Sequence, residues 1–93
     1  MTTTAIPELF AVDGELVSEA LRAAEKQLDG ADGEVALDFS SVRRIGPSGL
    51  KALEAFAAKA DEKAVKVVLC GVNVSVYKVL KLAKVTQRFS FVA

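Results

Sequence analysis

At Ile45-Gly46-Pro47-Ser48-Gly49-Leu50 the chain passes from an apolar run, residues 35–39, into an amphipathic segment that extends to residue 60. Glycine permits a sharp turn, and proline is favoured at the first helical position because its missing N–H would be unpaired there. The order predicts a strand, a tight turn and a helix, with Ser48 in the first helical turn. Unpaired N–H groups and the positive end of the helix dipole suit that turn to holding a phosphate or a partner's carboxylate.

The same alternation of strand and helix occurs on both sides of this turn. Apolar residues recur at helical spacing after Asp13, with Asp13 or Ser18 near the helix start and Gly30 just beyond its end. Strands are predicted at residues 3–6, 34–39, 66–70 and 89–92, and helices from 47 to about 60 and at 74–83, the last capped by Asn73. The strand at 34–39 is apolar enough to be covered on both faces. We therefore expect an α/β fold with a small, open, mainly parallel (mixed) sheet and helices packed on it.

The composition limits the size and the partners of the protein. Ninety-three residues, 52% of them hydrophobic, fit one domain over residues 1–93. Twelve basic and twelve acidic residues cancel, and no basic cluster exceeds Arg43-Arg44, so a nucleic-acid partner is not expected. No apolar run approaches the roughly 20 residues that span a bilayer, and the N-terminus has no basic start. We expect a cytoplasmic protein without membrane insertion.

Residues that usually carry catalysis are scarce. The chain has no histidine, so Ser48 lacks the usual base, and the serine-hydrolase turn would need a glycine where Leu50 stands. The carboxylates show no spacing that argues for a shared acid–base site. The one cysteine, Cys70, lies in an apolar run and is expected to be a core residue. We therefore expect no enzyme activity, no metal and no cofactor.

Three segments together resemble the STAS domain of bacterial anti-sigma factor antagonists. They are Asp38-Phe39-Ser40 with Ile45-Gly46-Pro47-Ser48-Gly49-Leu50, then Val67-Val68-Leu69-Cys70-Gly71-Val72-Asn73, then Val76-Tyr77-Lys78-Val79-Leu80-Lys81-Leu82. The resemblance implies a non-catalytic regulatory module that binds a protein partner, an anti-sigma factor kinase or a related regulator. It covers about residues 8 to 92 and leaves few residues for the family's N-terminal strands, so we expect that strand region to be shortened.

The motif that the family uses for regulation is altered in this sequence. Matching Gly49-Leu50 to the family's Gly-Leu places Gly46 at the motif's aspartate and Pro47 at the residue that a kinase phosphorylates. Proline has no hydroxyl, so the phosphorylation switch cannot act at that position. Ser48 is a possible displaced phosphoacceptor, or a first-turn serine bonded to the backbone. The resemblance implies a partner-binding set at this helix start, namely Gly46, Pro47, Ser48, Gly49, Lys51 and Ala55.

Two other functions fit the same fold. Gly71-Val72-Asn73 followed by Val76-Tyr77 is similar to the corner of the STAS subunit of phospholipid-trafficking ABC transporters, which implies an ABC ATPase as partner. Residues 89–92, with phenylalanine at 89 and 91, are predicted to form an edge strand with an open backbone edge that permits self-assembly as a scaffold. The sequence leaves the oligomeric state open.

Overall fold

The computed structural model describes residues 9–30 and 33–92. Four strands and three α-helices alternate along these residues, with a short 3₁₀ helix, Thr86–Arg88, before the last strand. They follow the order β1 (Leu9–Ala11), α1 (Val17–Asp29), β2 (Glu34–Asp38), α2 (Pro47–Glu62), β3 (Lys66–Cys70), α3 (Val74–Leu82) and β4 (Ser90–Val92). Within the described residues the strand order is β1-β2-β3-β4 and every neighbouring pair is parallel. The predicted α/β fold is confirmed.

The three helices pack on one face of the sheet. Alternate strand residues, among them Leu37 and Leu69, belong to the same buried cluster as Leu21 of α1, Phe56 of α2 and Leu80 of α3. On β2 the residues Val35, Ala36 and Leu37 are all buried. Only Val35 and Leu37 belong to the cluster beneath the helices, so the described residues show no second layer of the kind predicted for a strand covered on both faces. Phe56 is completely buried, so it is a central core residue and not the edge of the core that its position on the helix suggests.

The N-terminal part differs most from the sequence-based expectation. The strand predicted at residues 3–6 lies outside the described residues, and β1 is a three-residue strand at Leu9–Ala11 that the sequence pattern did not indicate. Helix α1 begins at Val17, and no side chain caps it; Asp13 instead accepts a hydrogen bond from the N–H of Glu15 at 2.8 Å. Within the described residues, β1 is the whole of the N-terminal strand region, and the predicted shortening of that region stays a prediction.

Among the described helices, none is both long enough and apolar enough to cross a membrane.

The turn between β1 and α1 lies against the connection that follows β2. A Cβ atom at Gly14 would lie 1.9 Å from the carbonyl oxygen of Ser41 and 2.8 Å from its carbon. Both of these are backbone atoms, so a side chain cannot be accommodated by rotating a neighbour. Only glycine fits at position 14 while the two backbone segments stay this close.

We predict that Gly14→Ala lowers the free energy of unfolding by about 1–3 kcal/mol, because the added methyl group forces the two backbone segments apart. Gly30→Ala is the matched control, since a Cβ at Gly30 meets no atom within 4 Å, and its effect should stay within about 0.5 kcal/mol. Urea unfolding followed by circular dichroism measures both. Equal stability of the two variants would show that the close approach at Gly14 is not maintained in solution.

Candidate functional site

Three connections meet at the carboxyl ends of the parallel strands. They are the β1–α1 turn with Gly14, the β2–α2 loop at residues 39–46, and the β3–α3 turn at residues 71–73. Gly14 approaches the β2–α2 loop at Ser41, and Asn73 bonds to the same loop. In open α/β sheets, ligands bind outside the carboxyl ends of the strands where the strand order reverses, and the described order β1-β2-β3-β4 has no such reversal. The β2–α2 loop, which leads into the start of α2, is therefore held from both sides.

The side chain of Asn73 makes three hydrogen bonds. Its amide nitrogen donates to the carbonyl oxygens of Val42 at 3.2 Å and Arg43 at 3.1 Å. Its carbonyl oxygen accepts from the N–H of Val76 at 2.8 Å, which is the predicted cap of α3. One side chain thus caps α3 and ties the β2–α2 loop to it. The sequence predicted the cap but not the tie, because the tie joins residues about thirty positions apart.

Gly71 and Asp38 fix the start of the same loop. Gly71 has φ of +70°, and a Cβ there would lie 3.1 Å from Cβ of Ser40, so the conformation and the space both favour glycine. The Ser40 hydroxyl and the Ser40 N–H, which donates to Oδ1 of Asp38 at 2.9 Å, hold the pKa of the Asp38 carboxyl below its usual range. The loop therefore leaves β2 in a defined direction.

Cys70 is half-buried and lies outside the core cluster, so the expectation of a core residue is wrong; it lies beside Asp38 across the β2–β3 pair. Burial raises the pKa of the Cys70 thiol, and the Asp38 carboxylate raises it further. A thiol with a raised pKa is a poor nucleophile and a poor metal ligand at neutral pH, since both roles need the thiolate. In the part of the chain that the structure describes, no three His, Cys, Asp or Glu side chains form a group able to hold a metal ion.

Helix α2 begins at Pro47, as predicted, and Ser48 occupies its first turn. Gly46 precedes it with an extended backbone, and its carbonyl oxygen accepts the first helical hydrogen bond, from the N–H of Leu50 at 2.9 Å. No side chain caps this end. The N–H groups of Ser48 and Gly49 have no acceptor within the helix, because no carbonyl group of the helix precedes its first turn.

A shallow pocket of about 210 Å³ lies beside this helix start. Ser48 and Arg44 line it together with the beginning of α1, which brings Glu15 and Glu19. A phosphate on Ser48 would therefore meet two carboxylates as well as one guanidinium group, and like charges oppose its addition. The sequence analysis did not include Glu15, Glu19 and Arg44 in the site. The Asp13-Gly14 turn signal marks where the chain reverses, but nothing in the sequence shows which loop it faces.

The predicted partner-binding residues divide into two groups. Five of them are exposed on the surface, namely Gly46, Pro47, Ser48, Lys51 and Ala55. Gly49 is buried, and a Cβ there would lie 3.0 Å from Cγ1 of Ile45 and 3.3 Å from Cγ1 of Val17. Gly49 lets the start of α2 approach α1 and offers no side chain to a partner. We call the five exposed residues the docking corner.

Comparison with known proteins gives one family and one fold. The family model of the STAS domain matches residues 5–92. The crystal structure of a Thermotoga maritima protein assigned as an anti-sigma factor antagonist superposes with a TM-score of 0.70 at 16% sequence identity, over 92% of this chain and 74% of that chain. At this identity the match concerns the fold alone. No protein in a search of curated sequences matches this chain.

We predict a graded loss of stability at Asn73. Asn73→Ala removes the cap and both donors and should lower the free energy of unfolding by about 2 kcal/mol. Asn73→Ser keeps an oxygen for the cap and loses only the tie, so about 1 kcal/mol is expected. Urea unfolding measures both, with the exposed neighbour Ser75→Ala as a control that stays within about 0.5 kcal/mol. A serine variant as stable as the native protein would mean that the tie contributes nothing.

Proposed function

Because this chain belongs to the STAS domain family, we propose that it is a non-catalytic, protein-binding regulatory module of the anti-sigma factor antagonist type. It binds its partner through the docking corner. The observation that supports this most is the exposed, uncapped start of α2, held by two neighbouring connections. A rigid surface of this kind loses little conformational entropy on binding, so more of the contact free energy appears as affinity.

The geometry of α2 supports this choice of surface. Ser48, Lys51 and Ala55 are exposed and stand three and seven positions apart, so they share one side of the helix. Ala55 is small and leaves room for a partner's backbone or side chains to approach closely. Lys51 supplies a charge at the edge, where it steers association more than it adds affinity. The docking corner thus combines a small side chain at Ala55 with a positive charge at Lys51.

The partner that we propose is an anti-sigma factor kinase-like protein, which places the module in the cytoplasm. Pro47 cannot accept a phosphate, so the module stays competent to bind, and its release depends on something other than phosphorylation at that position. Gly71 and Asn73, which carry the similarity to a transporter subunit, have structural roles here as a tight turn and as a cap with a tie. Those roles serve any member of the fold, so they do not favour an ABC ATPase as the partner.

We predict that two substitutions in the docking corner abolish partner binding without unfolding the protein. Lys51→Glu reverses the charge at position 51, and Ala55→Arg puts a large side chain where a partner would need to approach closely. Both native side chains are exposed. In the native host, the tagged native protein should co-purify with a kinase-fold protein, and each variant should recover at least tenfold less of it. Lys26→Glu, an exposed charge reversal on α1, is the matched control and should recover the native amount. An ABC ATPase in the purified complex would favour the transporter function instead. Full recovery by both variants would place the interface elsewhere.

We also predict that Ser48 is not a kinase substrate. After incubation with the co-purified kinase and ATP, the native protein should keep its unmodified intact mass, because the neighbouring carboxylates oppose a phosphate and Pro47 lacks a hydroxyl. The double variant Gly46→Asp/Pro47→Ser restores the family's motif and should gain the mass of one phosphate, which shows that the kinase is active. A phosphate on the native protein that Ser48→Ala removes would contradict the prediction.

A further inference from the structure

Helix α3 and strand β4 enclose an exposed apolar groove. It has a volume of about 270 Å³ and is lined by Val72, Asn73, Val74, Tyr77, Phe91 and Val92. Val74 is 69% exposed, Tyr77 40% and Val92 53%, although their side chains are largely apolar. Contiguous patches of exposed apolar side chains mark interaction sites, whereas single exposed apolar residues are common on any surface. We call this feature the α3–β4 groove, and it lies outside the docking corner, which belongs to α2.

The wall of the groove is preformed. The rings of Tyr77 and Phe91 pack edge to face with centroids 5.2 Å apart, and Phe91 packs in the same way on Phe89 at 6.5 Å. Phe89 is a buried residue of the core cluster. The aromatic wall is therefore anchored to the interior, and a ligand does not have to order it.

Charge is distributed unevenly along the chain around this groove. All twelve acidic residues lie at or before Glu62, while six of the twelve basic residues follow it. Lys78 stands one helical turn after Val74, and Lys81 one turn after Tyr77. Both lysines are exposed, and no carboxylate of the described residues pairs with either. Helical spacing thus places Lys78 and Lys81 next to Val74 and Tyr77 of the groove, and α3 and β4 carry no acidic residue to balance their charge.

We propose that the α3–β4 groove binds an acidic segment of a partner protein that carries apolar side chains. The apolar side chains enter between Tyr77 and Val92, and the carboxylates flanking them pair with Lys78 and Lys81. Charge complementarity selects this occupant, because an apolar segment without carboxylates leaves both lysines unpaired. The inference goes beyond the proposed function, since it assigns a second surface on different elements.

Shape and charge favour this occupant over other acidic ones. The groove is concave, whereas a membrane surface offers no protruding side chain to fill it. Nucleic-acid binding draws its affinity from many phosphates neutralised by lysine and arginine, and the two lysines beside this groove neutralise few. The lining is mainly apolar, with Asn73 as its one amide side chain, and that amide is already bonded to the β2–α2 loop. The apolar surface of the groove is the part that still lacks a partner, and an apolar side chain would cover it.

Selection from a random peptide display library tests the proposal without a known ligand. We expect the immobilised native protein to enrich peptides in which leucine or phenylalanine is flanked by aspartate or glutamate. Synthetic copies of the enriched peptides should bind the double variants Lys78→Glu/Lys81→Glu and Val74→Ser/Tyr77→Ala at least tenfold more weakly than they bind the native protein. Their affinity for the native protein should also fall as salt is raised from 0.1 M, since screening shortens the reach of exposed charges to about 3 Å at 1 M. Arg22→Glu/Lys26→Glu on α1 changes the net charge equally and should bind like the native protein.

Several results would overturn the proposal. These are failure to enrich any peptide, enrichment of peptides without acidic residues, and equal binding by the groove variants. The groove would be assigned to another occupant if the protein binds no acidic peptide but binds anionic lipid vesicles, duplex DNA or a second copy of the chain. The groove variants would have to lose that binding. Lys51→Glu leaves the groove intact and should bind the selected peptides as tightly as the native protein does. A failure of the groove proposal is therefore distinguishable from a failure of the proposal for the docking corner.

Discussion

The side chain of Asn73 joins the parts of this protein that the docking corner depends on. Two carbonyl oxygens of the β2–α2 loop accept from its amide nitrogen, and the first turn of α3 donates to its oxygen. A carbonyl oxygen left without a donor in a partly buried position costs free energy, so the three bonds form together or the loop has to move. Gly14 approaches the same loop at Ser41, where there is no room for a side chain. The path of the β2–α2 loop into the start of α2 follows from these two constraints.

A helix start that is held in this way suits a module whose binding surface does not switch. Pro47 sets the backbone of the first helical turn and at the same time removes the hydroxyl that a kinase would modify. Glu15 and Glu19 add negative charge to the pocket beside Ser48, which makes the remaining hydroxyl a poor place for a dianion. The helix start itself is present, and the resemblance places Pro47, which has no hydroxyl, at the position that the family phosphorylates. On the function that we propose, control of binding belongs to the partner, to its concentration or to another surface such as the α3–β4 groove.

The sequence predicted most of the fold because strand and helix periodicities are local. The strand Lys66–Cys70 and the start of α2 at Pro47 occur where the pattern placed them. Strand β1 was not predicted, because its three residues are too few to show an alternating pattern and its one partner in the described sheet, β2, is distant in sequence. The side to which the helices pack was not predicted either, since it depends on the order of the strands. At the site, Ser48 and the cap by Asn73 could be predicted from local rules. The facing residues Glu15, Glu19 and Arg44 could not, because only the folded chain brings the start of α1 to the start of α2.

The most direct test of the central claim is a contact map of the complex formed in the native host. A photo-cross-linking amino acid replaces Ala55 in the docking corner, and in a parallel variant it replaces Lys26 on α1. Both side chains are exposed, so neither substitution disturbs the core. The account predicts that position 55 cross-links to a kinase-fold protein and that position 26 does not. A cross-link to that protein from position 26 and none from position 55 would contradict it.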